Sequence, residues 1–117
     1  MVINYKLQVV FYKSGAGKEP VREWLKKLNK DDRKIIGEDI KTVQYGWPLG
    51  MPLVRKIEKG LWEVRTQLDN RIARILFTSH KGIMLLLHGF IKKSQKIPAK
   101  DLKIAKQRMA IFGGQYE

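Results

Sequence analysis

Hydrophobic positions change their spacing several times along the chain, and each change marks an element. Over residues 3–12 β-branched and aromatic side chains gather in Val9, Val10, Phe11 and Tyr12 before the breaker Ser14-Gly15-Ala16-Gly17, which predicts a strand. Pro20 then suits a helix start, and Val21, Trp24, Leu25 and Leu28 recur at helical spacing. Asn29, Lys30 and Asp31 interrupt this short helix. Asp31 or Asp32 can cap a second helix, whose Ile36, Ile40 and Val43 form one stripe until Gly46 and Pro48 stop it. Together these two segments predict a helical hairpin.

Residues 46–60 hold two prolines and three glycines, which predicts a loop with at most a short extended piece at 54–57. Three strands follow at 61–66, 71–79 and 83–91, separated by the turns Gln67-Leu68-Asp69-Asn70 and Ser79-His80-Lys81-Gly82. Pro98 can begin a last helix with Leu102, Ala105, Met109 and Phe112 on one face, ended by Gly113 and Gly114. The order β-α-α-β-β-β-α predicts a single α+β domain over residues 1–117. Its sheet is antiparallel-rich, with the hairpin on one face, the last helix at an edge and the other face partly open.

Strand periodicity sorts the charges. Leu61, Glu63 and Arg65 share one face, with Trp62 and Val64 opposite; Arg74 shares a face with Ile72 and Leu76, with Ala73, Ile75 and Phe77 opposite. If the turn sets Arg65 beside Ile72, Glu63 lies beside Arg74 and all three charges fall on the open face. Arginine inside a strand is costly to desolvate unless an anion meets it. An ion pair with Glu63 accounts for one arginine, and a second suits a phosphate, which a guanidinium binds with two parallel hydrogen bonds. Lys92, Lys93 and Lys96 leave the last strand beside this face, where a purely solvated basic loop is the plainer reading.

Charge extends the picture. Twenty-four Lys and Arg against eleven Asp and Glu give a formal net charge of +13, which directs attention to a polyanion, nucleic acid first. An acidic protein partner satisfies the same field, and scattered lysines also serve solubility. There is no cysteine and hence no disulfide, and the longest apolar run, residues 83–87, is too short to span a bilayer. The first residues show no signal-peptide zones, so a cytoplasmic protein with no membrane contact is expected.

Several chemistries fail on their residues. The segment at 12–19 is not a nucleotide-binding loop, because Tyr12 stands where a glycine is needed and Glu19 where a Ser or Thr is needed. Two histidines and no cysteine argue against a zinc site, so neither metal nor cofactor is expected. Ser14, Ser79 and Ser94 lie in ordinary turns, which leaves no hydrolase nucleophile. His88, in an apolar strand, reads either as a hydrogen-bonded core residue or as a proton carrier. Trp24, Trp47 and Trp62 read as packing residues, with Trp47 the one whose loop position would allow base stacking.

Three segments in order, Gly-Leu-Trp-Glu-Val-Arg at 60–65, Arg-Ile-Ala-Arg-Ile-Leu-Phe at 71–77 and Leu-Leu-His-Gly-Phe-Ile-Lys-Lys-Ser-Gln-Lys-Ile-Pro at 86–98, followed by a lysine-rich helix, carry a resemblance. The chain resembles the RelE/HigB superfamily of toxins, in its phage-derived HigB-like branch. The resemblance implies the toxin of a type II toxin–antitoxin system, held inactive by a helix-turn-helix, HigA-like antitoxin and reaching operator DNA only through that complex. It implies an mRNA interferase: an endoribonuclease that cuts mRNA on the ribosome, inhibits translation and arrests growth. The 2′-hydroxyl attacks the adjacent phosphate without a metal, leaving a 2′,3′-cyclic phosphate and a 5′-hydroxyl. Such a reaction needs orientation, charge stabilisation and two proton transfers.

Carried over, Arg65 takes the place of a basic residue near the 2′-hydroxyl, Arg74 that of the phosphate-binding arginine, and Lys93 or Lys92 that of the group beside the leaving 5′-oxygen. Lys56, Lys92 and Lys96 are the implied RNA contacts. RelE itself has a lysine at the position of Glu63 and a tyrosine near 96–98, both missing here, which leaves Glu63 or His88 for proton transfer. The competing readings are a ParE-like toxin that binds gyrase and a non-catalytic basic nucleic-acid-binding module. On the leading one, Arg74→Ala is expected to fold normally and lose growth inhibition, since losing one preorganised cation costs about 10²–10³-fold in rate.

Overall fold

A computed structural model describes residues 6–92 and 96–116, with side chains as far as Phe112. The elements are β1 (Gln8–Phe11), α1 (Pro20–Lys26), α2 (Lys30–Gly46), β2 (Val54–Glu58), β3 (Leu61–Leu68), β4 (Arg71–His80), β5 (Ile83–Lys92) and α3 (Ala99–Tyr116). They form an α+β fold whose five-stranded sheet runs β1-β5-β4-β3-β2, with β1 parallel to β5 and every other pair antiparallel.

The α+β class stands, with one strand more than the expected order. The extended piece at 54–57 is β2, paired with β3 from Val54 beside Val64 to Lys56 beside Trp62. Both prolines of the loop precede it, so no donor is missing from the ladder. Gly60, at φ +79°, makes the turn into β3 in a backbone region that L side chains avoid. At the other edge the described part of the first strand is Gln8–Phe11, the N–H groups of Lys6 and Leu7 donate to the Gln44 carbonyl, and residues 3–5 of the expected strand lie outside the described residues.

In α1, Pro20 takes the first turn, where its missing N–H costs nothing. The cap of α2 is Asn29 rather than either aspartate: its side chain accepts from the N–H of Asp32 at 2.8 Å. Asp32 sits in the first turn, where the helix dipole favours a carboxylate, and takes a 2.8 Å ion pair from Arg71 that ties the start of β4 to the helix. Gly113 and Gly114 do not end α3, which continues through them to Tyr116.

Two cores result. On one face α1 and α2 place Val21, Ile36, Ile40 and Val43 over Val64, Ala73, Ile75, Phe77, Met84 and Leu86. Trp47 and Trp62 join this side in edge contact, centroids 5.1 Å apart, and both meet Phe77, so Trp47 is a packing residue and not a free stacking platform. On the second face Leu61, Leu76, Leu85, Leu87 and Phe90 pack with Ala105 and Phe112 of α3. The last helix is thus not at an edge. It lies across the β4–β5 half of the second face because its apolar stripe needs a partner there.

Gly89 shows how closely the hairpin is seated. A methyl group built on it would lie 2.5 Å from Cε3 of Trp24 and 2.6 Å from Cζ3, well inside contact distance, and the indole is wedged between α1 and β5. Gly89→Ala is expected to lower stability by about 1–3 kcal/mol through overpacking, read as a shifted urea or thermal midpoint. An unshifted midpoint would show that Trp24 can move aside freely.

Candidate functional site

The sheet register assembles the charges row by row on the second face. One row runs Arg55, Glu63, Leu76, His88 across β2, β3, β4 and β5; the next places Arg65 beside Arg74 and Arg74 beside Phe90; a third runs Gln67, Ile72, Lys92. Arg65 therefore sits opposite Arg74, and Glu63 opposite Leu76, one pair further along than the four-residue turn implied. The physical reason is the tighter reversal at Asp69-Asn70, with Asn70 at φ +56° and Leu68 already paired to Arg71. A shift of two residues preserves faces, so the expected grouping survives the change of register.

At its centre is the Glu63 carboxylate. Oε2 accepts a hydrogen bond from Nη1 of Arg74 at 3.1 Å, while Oε1 lies 3.3 Å from Nε of Arg55 and 3.5 Å from Nε of Arg65. The side chains of Glu63 and Arg74 have no exposed surface, whereas those of Arg65 and Arg55 are 13% and 31% exposed. Together the four side chains carry a net charge of +2. A carboxylate and a guanidinium buried this fully are stable only as partners, because each alone would lose several kcal/mol of hydration.

This arrangement alters two expectations. Arg74 faces Glu63 inside the protein and does not present its guanidinium at the surface, and Glu63 is enclosed by arginines with no open side to a substrate. The open face foreseen for them is closed, since residues on both flanking strands and the packed second face enclose the pair. Arg65 and Arg55 are the members of the group that reach solvent. Arg55 went unnoticed in the sequence because its loop was not resolved into a strand; the alternation Arg55, Ile57 set against Glu63, Leu61 was the available signal.

The basic residues divide. Lys92 is exposed and belongs to the same face, one row beyond Arg74. Lys96 is also exposed. Lys93 lies outside the described residues. Lys56, adjacent to Arg55 in β2, alternates to the other side of the sheet and is exposed there, so it does not join the group.

His88 is neither solitary nor simply a core residue. Its Nε2 lies 2.7 Å from Oδ1 of buried Asp101, in the first turn of α3, and its ring stacks near Phe90. The side chain keeps 16% exposure. Further along α3, Nη1 of Arg108 donates to the Leu87 carbonyl at 2.7 Å and its guanidinium lies over the Tyr12 ring. Burial lowers the Arg108 pKa, an effect that Tyr12 partly opposes. These contacts seat α3 on β5.

Next to Arg65, whose N–H donates to the Leu53 carbonyl just before β2 begins, a cleft of about 280 Å³ opens between Pro52, Leu53, Arg65, Gln67, Ile72 and Asp39. It adjoins Arg65, one of the two exposed members of the arginine group.

A family profile described as Phage derived protein Gp49-like (DUF891) matches residues 23–110, about three quarters of the chain. The chain belongs to the Gp49-like family. That family is one of RelE/HigB-like toxins. No curated protein matches the chain. The Gp49-like region includes Arg55, Glu63, Arg65, Arg74, His88, Lys92 and Asp101, that is, the whole arginine group and the histidine–aspartate pair.

Removing the central carboxylate tests the electrostatic account. Glu63→Gln is expected to cost about 3–5 kcal/mol, since it leaves buried Arg74 without its anion. The double variant Glu63→Gln with Arg74→Met should lose less than the two single losses combined, measured by denaturant titration. A Glu63→Gln protein within about 1 kcal/mol of the parent would contradict it.

Proposed function

We propose that the protein is the toxin of a type II toxin–antitoxin system and cuts mRNA on the ribosome by attack of a 2′-hydroxyl on the adjacent phosphate. The observation that carries this reading is the convergence of arginines from three neighbouring strands on one buried carboxylate, leaving a +2 group with two members at the surface. Membership of a RelE/HigB-like toxin family supports it.

In this reading Arg65 and Arg55 face the scissile phosphate and stabilise the negative charge that grows on it, while Glu63 and Arg74 hold them in place and touch nothing that reacts. Because the guanidinium groups are already ordered around Glu63, little orientation is lost when the phosphate arrives. The 2′-oxygen forms a bond to phosphorus as the bond to the 5′-oxygen breaks; one proton leaves the 2′-oxygen and another reaches the 5′-oxygen. His88, oriented by Asp101, is the proton carrier of the site. The resemblance assigns the leaving oxygen to Lys92 or Lys93, of which Lys92 is on this face, and Lys96 to the RNA strand. Its partner is a helix-turn-helix, HigA-like antitoxin, and its site of action is the ribosome in the cytoplasm.

The test is brief induction followed by mapping of mRNA ends, with cleavage on programmed ribosomes in parallel. The parent should produce codon-positioned breaks ending in 2′,3′-cyclic phosphate and 5′-hydroxyl. Arg65→Ala should retain its fold by circular dichroism and lose roughly 10²–10³-fold in cleavage rate. Growth arrest with intact mRNA would instead favour the gyrase-binding reading, and a folded Arg65→Ala as toxic as the parent would remove Arg65 from the site.

A further inference from the structure

The cleft beside Arg65 has a chemical bias that the arginine group does not explain. Pro52, Leu53 and Ile72 supply apolar walls, and its polar lining, apart from Arg65, consists of Gln67 and Asp39. Gln67 is an exposed residue whose amide is nonetheless fixed. Its Nε2 donates to two backbone carbonyls, Leu68 at 2.8 Å and Arg71 at 3.1 Å. Carbonyls only accept, so the nitrogen must be the atom facing them, both amide hydrogens are used, and Oε1 remains as an acceptor. The Asp39 carboxylate is acceptor-only as well. A cavity of about 280 Å³ falls below the roughly 300–1,000 Å³ of pockets for drug-sized ligands. It suits one flat ring system between apolar walls, with an anion held at the Arg65 end.

We propose that this cleft is a nucleobase subsite that selects, next to the bound phosphate, a base carrying an amino group: adenine, cytosine or guanine over uracil. The inference rests on the reading of the arginine group as an RNA phosphate site and adds to it a source of base preference. Adenine and cytosine present an exocyclic amino donor, and guanine presents an amino group beside a ring N–H; these meet the Gln67 oxygen and the Asp39 carboxylate. Uracil offers one ring N–H flanked by two carbonyl oxygens, which would face those acceptors oxygen to oxygen.

The experiment is titration of the intact protein with the 5′-monophosphates of adenosine, cytidine, guanosine and uridine, and with inorganic phosphate, followed by calorimetry or NMR shifts. One net hydrogen bond corresponds to about a fivefold change in affinity, so the three amino-bearing nucleotides should bind at least about fivefold tighter than uridine monophosphate. Gln67→Leu should bring the four within about twofold of one another and leave inorganic phosphate binding as in the parent. Equal affinities in the parent, or a ranking untouched by Gln67→Leu, would overturn the subsite. The two readings fail separately. A nucleotide ranking that holds while induced cells show intact mRNA sinks the nuclease reading and leaves the subsite standing. Clear mRNA breaks, with no ranking and with flanking bases unchanged in Gln67→Leu, sink the subsite alone.

Discussion

The Glu63 carboxylate sits without exposed surface among the guanidinium groups of Arg55, Arg65 and Arg74. Burying such a charge alone would cost several kcal/mol, and here the cost is offset only because three adjacent strands each bring a cation to it. The consequence is geometric as much as energetic. β2, β3 and β4 must keep their register for the group to remain satisfied, since a slip of one residue would turn an arginine to the opposite, apolar face. The two arginines that reach solvent are therefore held on a rigid sheet at defined positions, a property that a basic loop of similar charge would lack.

The same face has a second half with different physics. α3 covers β4 and β5 with Ala105 and Phe112, seated by the Asp101–His88 contact and by Arg108 on the Leu87 carbonyl. His88 lies at this boundary, in the same cross-strand row as Glu63 and separated from it by Leu76, about 9–10 Å away by two strand spacings. Apolar cover on one side and cations on the other create a site that is partly dry and strongly positive, where electrostatic interactions are less screened than on an open surface. The cleft at Gln67 continues this strip past the start of β2.

Much of this was legible in the residues. Strand alternation grouped Glu63, Arg65 and Arg74, and it did so despite a register off by two, because a period of two forgives even shifts. Helical spacing identified the stripe of α2 and the apolar face of α3. What escaped was of another kind. Arg55 lay in a stretch whose prolines and glycines masked a strand, and the pairing that made it part of the site exists only once β3 is beside it. Asp101 is thirteen residues from His88 with a helix start between them, so no local pattern joins them.

Local chemistry along the chain, the spacing of apolar residues and the turn formers, determined by itself the α+β class and the faces of β3 and β4, because these depend on neighbours one to four positions away, while the ordered segments at 60–65, 71–77 and 86–98 carried the family resemblance. Which groups are buried was decided by the tertiary structure. Whether Arg74 meets solvent or Glu63, and whether α3 lies at an edge or over β5, depend on desolvation and on partners from distant segments, and those quantities exist only when the strands and helices have come together.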